Sequence, residues 1–290
     1  MWDEVFIHAG AHRTGTSSLQ QTLAENRGAL EAAGFDVAYP GRDGAPGGRL
    51  RLPLPRPRHG EKRVPQFGRQ VAAHLAEICP EGRGRLILSE ENIPGPMRHF
   101  YEGRFFPAAE KRAAALGAGL GRVAHVVYVL RPYAALYASA WRKRAEDNAV
   151  PEFAEVVPAL MAMDRGWPEV VAALREGLRP ERLTVLDYAE RGSSAGLLGR
   201  VVPGLGVQVR EPGEVVNLSA TDSALEVLQG RYRAGEVLSR RAWKAVLADH
   251  AEARESWGLT QYPEGAETAL AERYARDLER IEGMQGVTLG

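Results

Sequence analysis

The sequence is poor in cysteine, in long apolar runs and in net charge. Cys79 is the single cysteine among 290 residues, which excludes an internal disulfide framework and a cluster of thiolate metal ligands. No uncharged apolar run approaches the roughly 18 residues of a membrane span. The first ten residues, MWDEVFIHAG, carry acidic side chains where a signal peptide carries basic ones. We therefore expect a cytoplasmic protein without a membrane span.

The formal charge is balanced, because the chain has 37 lysine and arginine residues and 37 aspartate and glutamate residues. This balance gives no support to a nucleic-acid partner or to binding at an acidic membrane surface. The content of 44% hydrophobic and 26% charged residues is typical of a soluble globular protein with a sizeable core. A chain of this length can form one large domain or two smaller ones, and we interpret residues 1–290 as a single domain.

Short apolar runs alternate with helical patterns through the first two thirds of the chain. These runs are predicted strands, at residues 5–7, 35–39, 85–88, 123–130 and 183–186. The run VAHVVYVL is apolar almost throughout, which is typical of a central strand covered on both faces. The alternation predicts an α/β protein: a three-layer α/β/α fold with a central parallel sheet of about five strands, similar to the P-loop nucleoside triphosphatases. Beyond residue 192 only helical patterns follow, so residues 211–290 are predicted to form a helical C-terminal region.

Residues 40–65, PGRDGAPGGRLRLPLPRPRHGEKRVP, are dense in proline, glycine and arginine. This composition does not favour regular structure and predicts a flexible loop. A loop of this length in a compact domain is usually functional or disordered. Its surplus of basic side chains is compatible with an anionic partner as well as with a simple solvated loop.

The first predicted strand runs into a loop that nearly matches a phosphate-binding loop. Parallel sheets bind ligands at the carboxyl ends of their strands, so residues at these ends are candidate site residues. Gly10, Gly15 and Ser17 fit the pattern G-x-x-x-x-G-K-[ST], but Thr16 stands in place of the lysine. The N–H groups of the following helix form an anion site, to which Arg13 adds a charge. The same residues also fit a plain helix cap after a glycine turn.

The missing lysine is the residue that reaches the β- and γ-phosphates of a triphosphate. The sequence also offers no strand ending in an aspartate placed to hold magnesium, since Asp187 ends the last predicted strand. A magnesium-dependent kinase or nucleoside triphosphatase therefore fits poorly. We expect an anion of lower charge, bound without a metal.

A second group of candidate residues follows the fourth predicted strand. Arg131 stands at the end of the strand, and Ser139 lies two helical turns further on. A guanidinium can contact a phosphate through two parallel hydrogen bonds, with the serine hydroxyl beside it. Each residue alone also fits a structural role.

Together the two motifs resemble those of the sulfotransferases that use 3′-phosphoadenosine 5′-phosphosulfate (PAPS). The 5′-phosphosulfate loop of that family, [KR]-[ST]-G-T-[ST], is matched by Arg13, Thr14, Gly15, Thr16 and Ser17. Its 3′-phosphate motif, R-x-P with a serine eight residues after the arginine, is matched by Arg131 and Ser139, with Pro132 one place early. The resemblance is densest over residues 5–23 and 123–144.

This resemblance implies PAPS as the sulfuryl donor, 3′,5′-ADP as the product and no metal. Arg13 would stabilise charge that develops on the bridging oxygen during transfer. Ser18 begins the helix with the loop hydroxyls, at a position where many animal members have a tryptophan that stacks on adenine. Tyr188, in LTVLDYAE, matches a tyrosine near the adenine.

An acceptor hydroxyl also needs a general base. The third predicted strand ends in Ser89-Glu90-Glu91. In the family this strand end carries a catalytic histidine in many animal enzymes and a glutamate in several bacterial and carbohydrate-directed ones. Glu91 matches best and Glu90 is the alternative. Because side chains alternate along an extended chain, only one of the two should face the cleft.

The expected acceptor is a carbohydrate, a lipid or a small hydroxylated metabolite, and the sequence indicates neither its identity nor the oligomeric state. Two other functions stay open. A P-loop kinase of a small molecule would need ATP and magnesium, and it should have a lysine after Gly15. A non-catalytic nucleotide-binding protein would keep the loop without turnover.

Overall fold

A computed structural model of the chain describes residues 2–213 and 219–290. Its centre is one parallel sheet with the strand order β2-β3-β1-β4-β5-β6. The strands are β1 Glu4–His8, β2 Phe35–Ala38, β3 Arg85–Ser89, β4 Val123–Leu130, β5 Arg182–Asp187 and β6 Val287–Leu289. The predicted α/β/α fold with a parallel sheet is confirmed.

Strand β6 was not predicted, because only helical patterns are visible in the last hundred residues. It pairs with β5 at the edge of the sheet, with Leu183 opposite Val287. Three half-exposed or exposed residues are too few to show the two-residue periodicity of a strand. The C-terminal region is otherwise helical where the structure describes it.

Helices flank the sheet and connect its strands. They are α1 Thr16–Glu25, α2 Arg27–Ala32, α3 Val64–Ile78, α4 Arg98–Tyr101, α5 Ala109–Gly119, α6 Tyr133–Ala145, α7 Phe153–Met161, α8 Trp167–Leu178, α9 Ser194–Val201, α10 Asp222–Arg233, α11 Arg240–Asp249 and α12 Ala266–Glu282. Among the described residues, no helix has the length and apolar character needed to cross a membrane.

The sheet has a hydrophobic core on each face, because successive side chains of a strand point in opposite directions. In β4, Val126 and Tyr128 enter one core, whereas Val127 and Val129 enter the other. Helices α3, α5 and α8 cover the first face, and α1, α2 and α9 cover the second. This two-sided burial explains why β4 is apolar almost throughout.

The backbones of the helices on the first face are in direct contact at glycine residues. A Cβ atom on Gly117 of α5 would lie 2.1 Å from the carbonyl oxygen of Gly177 in α8. A Cβ atom on Gly119 would lie 2.5 Å from the carbonyl oxygen of Gly68 in α3. No larger residue fits at these contacts without moving a helix.

Residues 40–65 are largely irregular, as their composition predicts. Their regular structure consists of the start of α3, two 3₁₀ turns, Arg42–Gly44 and Glu61–Arg63, and an isolated antiparallel bridge between Pro40 and Arg49. The segment packs against the domain, with Leu50 buried and the Lys111 Nζ atom donating to the Pro57 carbonyl at 3.0 Å.

The buried Arg112 side chain of α5 joins this segment to the strand ends. Its Nη1 atom donates to the Pro55 carbonyl at 2.9 Å, and its Nε atom donates to the Ile93 carbonyl at 2.9 Å. A further bond reaches the Asn92 carbonyl at 2.5 Å. Burial lowers the pKa of Arg112 to about 10, which leaves it charged at neutral pH. The arginine therefore fixes the chain directly after Glu91.

Candidate functional site

The strand order places a crevice between the carboxyl ends of β1 and β4. The chain leaves β1 towards β2 at one edge and leaves β4 towards β5 at the other, which defines the point where open α/β sheets bind ligands. The loop after β1 lies there and continues along β4. The Ala9 N–H donates to the Val127 carbonyl at 3.0 Å, and the Ala11 N–H donates to the Val129 carbonyl at 3.2 Å.

The loop needs glycine at two positions. Gly10 and Gly15 have positive φ angles of 39° and 86°, a region that disfavours side chains. A Cβ atom on Gly10 would also lie 2.7 Å from the Thr16 Oγ1 atom and 2.8 Å from the His8 Cε1 atom. Gly15 is the N-cap of α1 and supplies no capping side chain. The first N–H groups of α1 therefore face the loop without a side-chain cap, the arrangement that binds anions at helix N-termini.

Arg13 joins the two predicted motifs. Its Nε atom donates to the Ser139 Oγ atom of α6 at 2.8 Å. The Arg131 guanidinium in turn donates to the Arg13 carbonyl. Thr14 braces the turn by donating from Oγ1 to the Ala11 carbonyl at 2.6 Å. The structure thus brings Arg13 together with Arg131 and Ser139, although more than a hundred residues separate Arg13 from the other two.

Arg131 is half-buried beside Tyr188, at 5.1 Å from the ring centroid. Burial is the main cause that lowers its pKa from the ordinary value, and the Arg13 charge acts in the same direction. Two arginines held this close contribute positive potential at the crevice.

Arg191 is a site residue that the sequence analysis missed. It lies 5.0 Å from the Tyr188 ring centroid, and its Nη1 atom would be 2.8 Å from a Cβ atom on Gly15. It therefore covers the loop from the end of β5. Its position three residues after Tyr188, at a strand end, is the signal that could have found it.

Further hydroxyls of the motif lie in the first turn of α1. Thr16 is 3% exposed, and Ser17 follows it. The Ser18 Oγ atom is 2.7 Å from the Ser194 Oγ atom, where α1 meets the start of α9.

Two buried polar atoms of the predicted motifs have no hydrogen-bond partner within residues 2–213 and 219–290. They are Thr16 Oγ1 and Arg131 Nε. Leaving a buried donor without a partner costs about 1–3 kcal/mol. One atom belongs to each predicted motif, so both motifs have hydrogen-bonding capacity to offer a ligand.

His8, the last residue of β1, has its imidazole ring buried next to the loop. Its Nδ1 atom is 3.1 Å from Ser89 Oγ, and its Nε2 atom has no partner among the described residues. Burial lowers the pKa of His8 to about 4. The Glu91 charge acts in the opposite direction, and the Arg191 charge lowers the pKa further. The ring is therefore neutral at pH 7, in contact distance of Gly10.

Glu90 and Glu91 face different surroundings. Glu90 Oε1 accepts from the Asn92 N–H at 2.8 Å and forms an ion pair with Arg42 of the 40–65 segment. Glu91 Oε1 lies 3.7 Å from the Nδ1 atom of His12 in the loop. Of the two carboxylates, Glu91 is thus the one that faces the loop.

The Glu91–His12 pair is held by the backbone. The His12 Nε2 atom is 2.8 Å from the Gly95 carbonyl, which can only accept, so Nε2 carries a proton. Burial alone would raise the pKa of the Glu91 carboxyl. Pairing with His12 and the charges of Arg42 and Arg13 outweigh burial and lower the pKa to about 2.

No protein-family model matches this chain, and no curated protein or solved structure does either. The chemistry of the site is therefore inferred from its motifs and geometry.

Proposed function

We propose that the chain is a sulfotransferase that moves a sulfuryl group from PAPS to a hydroxyl or amine of a carbohydrate, lipid or small metabolite. One observation carries the proposal: Arg13 of the loop contacts Ser139, and Arg131 contacts Arg13. A donor charged at both its 5′ and 3′ positions needs two anion-binding groups in one crevice, and these contacts join two such groups.

The roles of the donor-binding residues follow from their positions. The N–H groups at the start of α1, with the Thr16 and Ser17 hydroxyls, would bind the 5′-phosphosulfate. Arg131 and Ser139 would bind the 3′-phosphate, which distinguishes PAPS from ATP, and Tyr188 would lie near the adenine. Arg13 stands between the two groups and would stabilise charge on the bridging oxygen.

The reaction requires positioning and charge stabilisation more than covalent catalysis. The acceptor oxygen forms a bond to sulfur, and the bond from sulfur to the bridging oxygen breaks in line with it. The acceptor proton would pass to Glu91, and 3′,5′-ADP leaves. Glu91 is favoured over Glu90 because Asn92 and Arg42 already engage the Glu90 carboxylate. Its pKa of about 2 makes it ionised but weakly basic, so precise placement of the acceptor has to supply most of the rate.

The first experiment compares thermal stabilisation by 3′,5′-ADP with stabilisation by ATP and magnesium. We expect a larger shift in melting temperature with 3′,5′-ADP, and loss of that shift in Arg131→Met. Arg200→Met, at the exposed end of α9, is the matched control and should keep the shift. Preference for ATP and magnesium would instead support the small-molecule kinase.

The second experiment measures sulfate transfer from labelled PAPS to a panel of hydroxylated acceptors. Transfer that is lost in Glu91→Gln, with 3′,5′-ADP binding unchanged, supports Glu91 as the base. Binding of 3′,5′-ADP without transfer to any acceptor would favour a non-catalytic nucleotide-binding protein.

A further inference from the structure

A basic cavity lies beside the candidate site, and none of the residues of the two motifs lines it. Its volume is about 500 Å³. We name it the arginine cavity, and its lining residues are Arg56, Pro57, Arg58, Arg98, His99, Glu102 and Arg104.

The charge of the arginine cavity is strongly positive. Four arginines line it against one acidic residue, Glu102, whose carboxylate is 3.8 Å from Arg104. For Arg56, Arg58 and Arg98, no ion pair is formed with any residue in the described part of the chain. Exposed arginines close together repel one another, so a bound anion would relieve this repulsion.

His99 forms the buried floor of the cavity. The residue is 1% exposed, and neither of its ring nitrogens has a hydrogen-bond partner within the described ranges. Burial lowers the pKa of His99 to about 4, so the ring is neutral at pH 7 and keeps one N–H to donate. Buried polar groups in proteins are nearly always paired, which makes two unpaired nitrogens in one ring a mark of a ligand position.

The arginine cavity is separate from the crevice between β1 and β4. Gly95 stands between them: its carbonyl accepts from His12 on the crevice side. On the other side, a Cβ atom at Gly95 would lie 3.2 Å from the His99 Nδ1 atom. The two sites therefore share one backbone segment but no ligand-binding side chain.

We propose that the arginine cavity binds a small molecule with at least two anionic groups of the phosphate, sulfate or carboxylate kind. Arg56, Arg58 and Arg98 provide the charge-assisted hydrogen bonds, and His99 donates its ring N–H from below. This site stands on its own residues and does not depend on the identity of the sulfuryl donor.

The test is a titration followed by NMR of protein labelled in its histidine rings, which reports locally on His99. Inorganic pyrophosphate and fructose 1,6-bisphosphate are the two probes. The two phosphates are joined directly in the first and are separated by a sugar in the second. The His99 signal is assigned with His99→Gln. We expect it to shift and saturate with at least one probe, and the tighter probe indicates the spacing of the anionic groups.

The variants decide whether the cavity itself binds the anion. Arg58→Gln with Arg98→Gln should weaken the probe that binds by at least about tenfold. Arg240→Gln with Arg241→Gln removes the same charge from exposed positions of α11 and should leave the affinity unchanged. An unmoved His99 signal with both probes, or equal weakening in both double variants, would overturn the proposal.

Discussion

At the scale of single residues, Arg13 has the most demanding position in the site. It has a positive φ angle of 65°, which is unusual for a residue with a side chain. Its guanidinium contacts Ser139 and Ser219, while its carbonyl accepts from Arg131. Arg13 therefore holds the loop after β1 against the end of β4 and the start of α6, and it also contributes a positive charge.

We expect Arg13→Ala to lower kcat/KM for PAPS by about 10²–10³-fold, as removal of a preorganised charge donor does elsewhere. Ser139→Ala removes one neutral hydroxyl and should weaken 3′,5′-ADP by only about five- to tenfold. Steady-state kinetics and calorimetry measure the two effects. An equal loss in Arg200→Ala would show that general charge, and not this contact, matters.

The pKa of Glu91 predicts how activity depends on pH. A carboxyl with a pKa of about 2 is in its base form at all higher pH values, and that form is lost only as pH falls through about 2. The value of kcat/KM should therefore stay level as the pH falls from about 7 to about 4 if Glu91 is the base. An acidic limb centred near pH 4 would identify His8 as the base, because its pKa is about 4. Comparing the profiles of Glu91→Gln and His8→Gln separates the two.

At the scale of elements, the contact between α5 and α8 predicts a large effect of one methyl group. Gly117→Ala would place Cβ 2.1 Å from the Gly177 carbonyl oxygen, so the helices must separate. We expect a loss of about 1–3 kcal/mol in unfolding free energy, typical of overpacking. Gly230→Ala is the matched control: it lies in α10 with nothing within 4 Å of the added methyl.

In Gly230→Ala the higher helix propensity of alanine should stabilise the protein by up to about 1 kcal/mol. Denaturant unfolding of both variants measures the difference. Stabilisation by both substitutions would mean that the α5–α8 contact is looser than described.

The elements that sequence patterns predict well are those with strong periodicity. The five longer strands and the loop after β1 could be predicted, because buried strands are apolar and glycine marks the turn. Strand β6 could not, since its pairing with β5 depends on the distant fold. For Arg191 the strand end marked a candidate position, but its approach to Gly15 is a tertiary contact that the sequence does not show. The different surroundings of Glu90 and Glu91 also required the position of His12.

At the scale of the whole molecule, buried His8 links stability to pH. Its pKa is about 4 in the folded chain against an ordinary value of 6.5, so the unfolded chain binds more protons between these values. The stabilising neutral state is fully present above about pH 6.5 and is lost as pH falls towards 4. We expect His8 to account for up to about 3 kcal/mol of this loss.

Urea unfolding at a series of pH values between 4 and 7.5 tests this expectation. The slope of unfolding free energy against pH should flatten in His8→Gln, which does not titrate. The partly exposed His74 gives the control His74→Gln, which should keep the slope of the unsubstituted protein. A slope identical in all three proteins would contradict the buried, neutral state of His8.

The glycine contacts among α3, α5 and α8 restrict how this molecule can move. We expect helices whose backbones are in direct contact to resist sliding past one another, which disfavours shear motion on that face of the sheet. The crevice, by contrast, is bordered by the loop after β1 and by the segments that follow β3 and β5. We therefore expect closure over a bound ligand to come from hinge motion of those segments, against a face of the sheet that stays fixed.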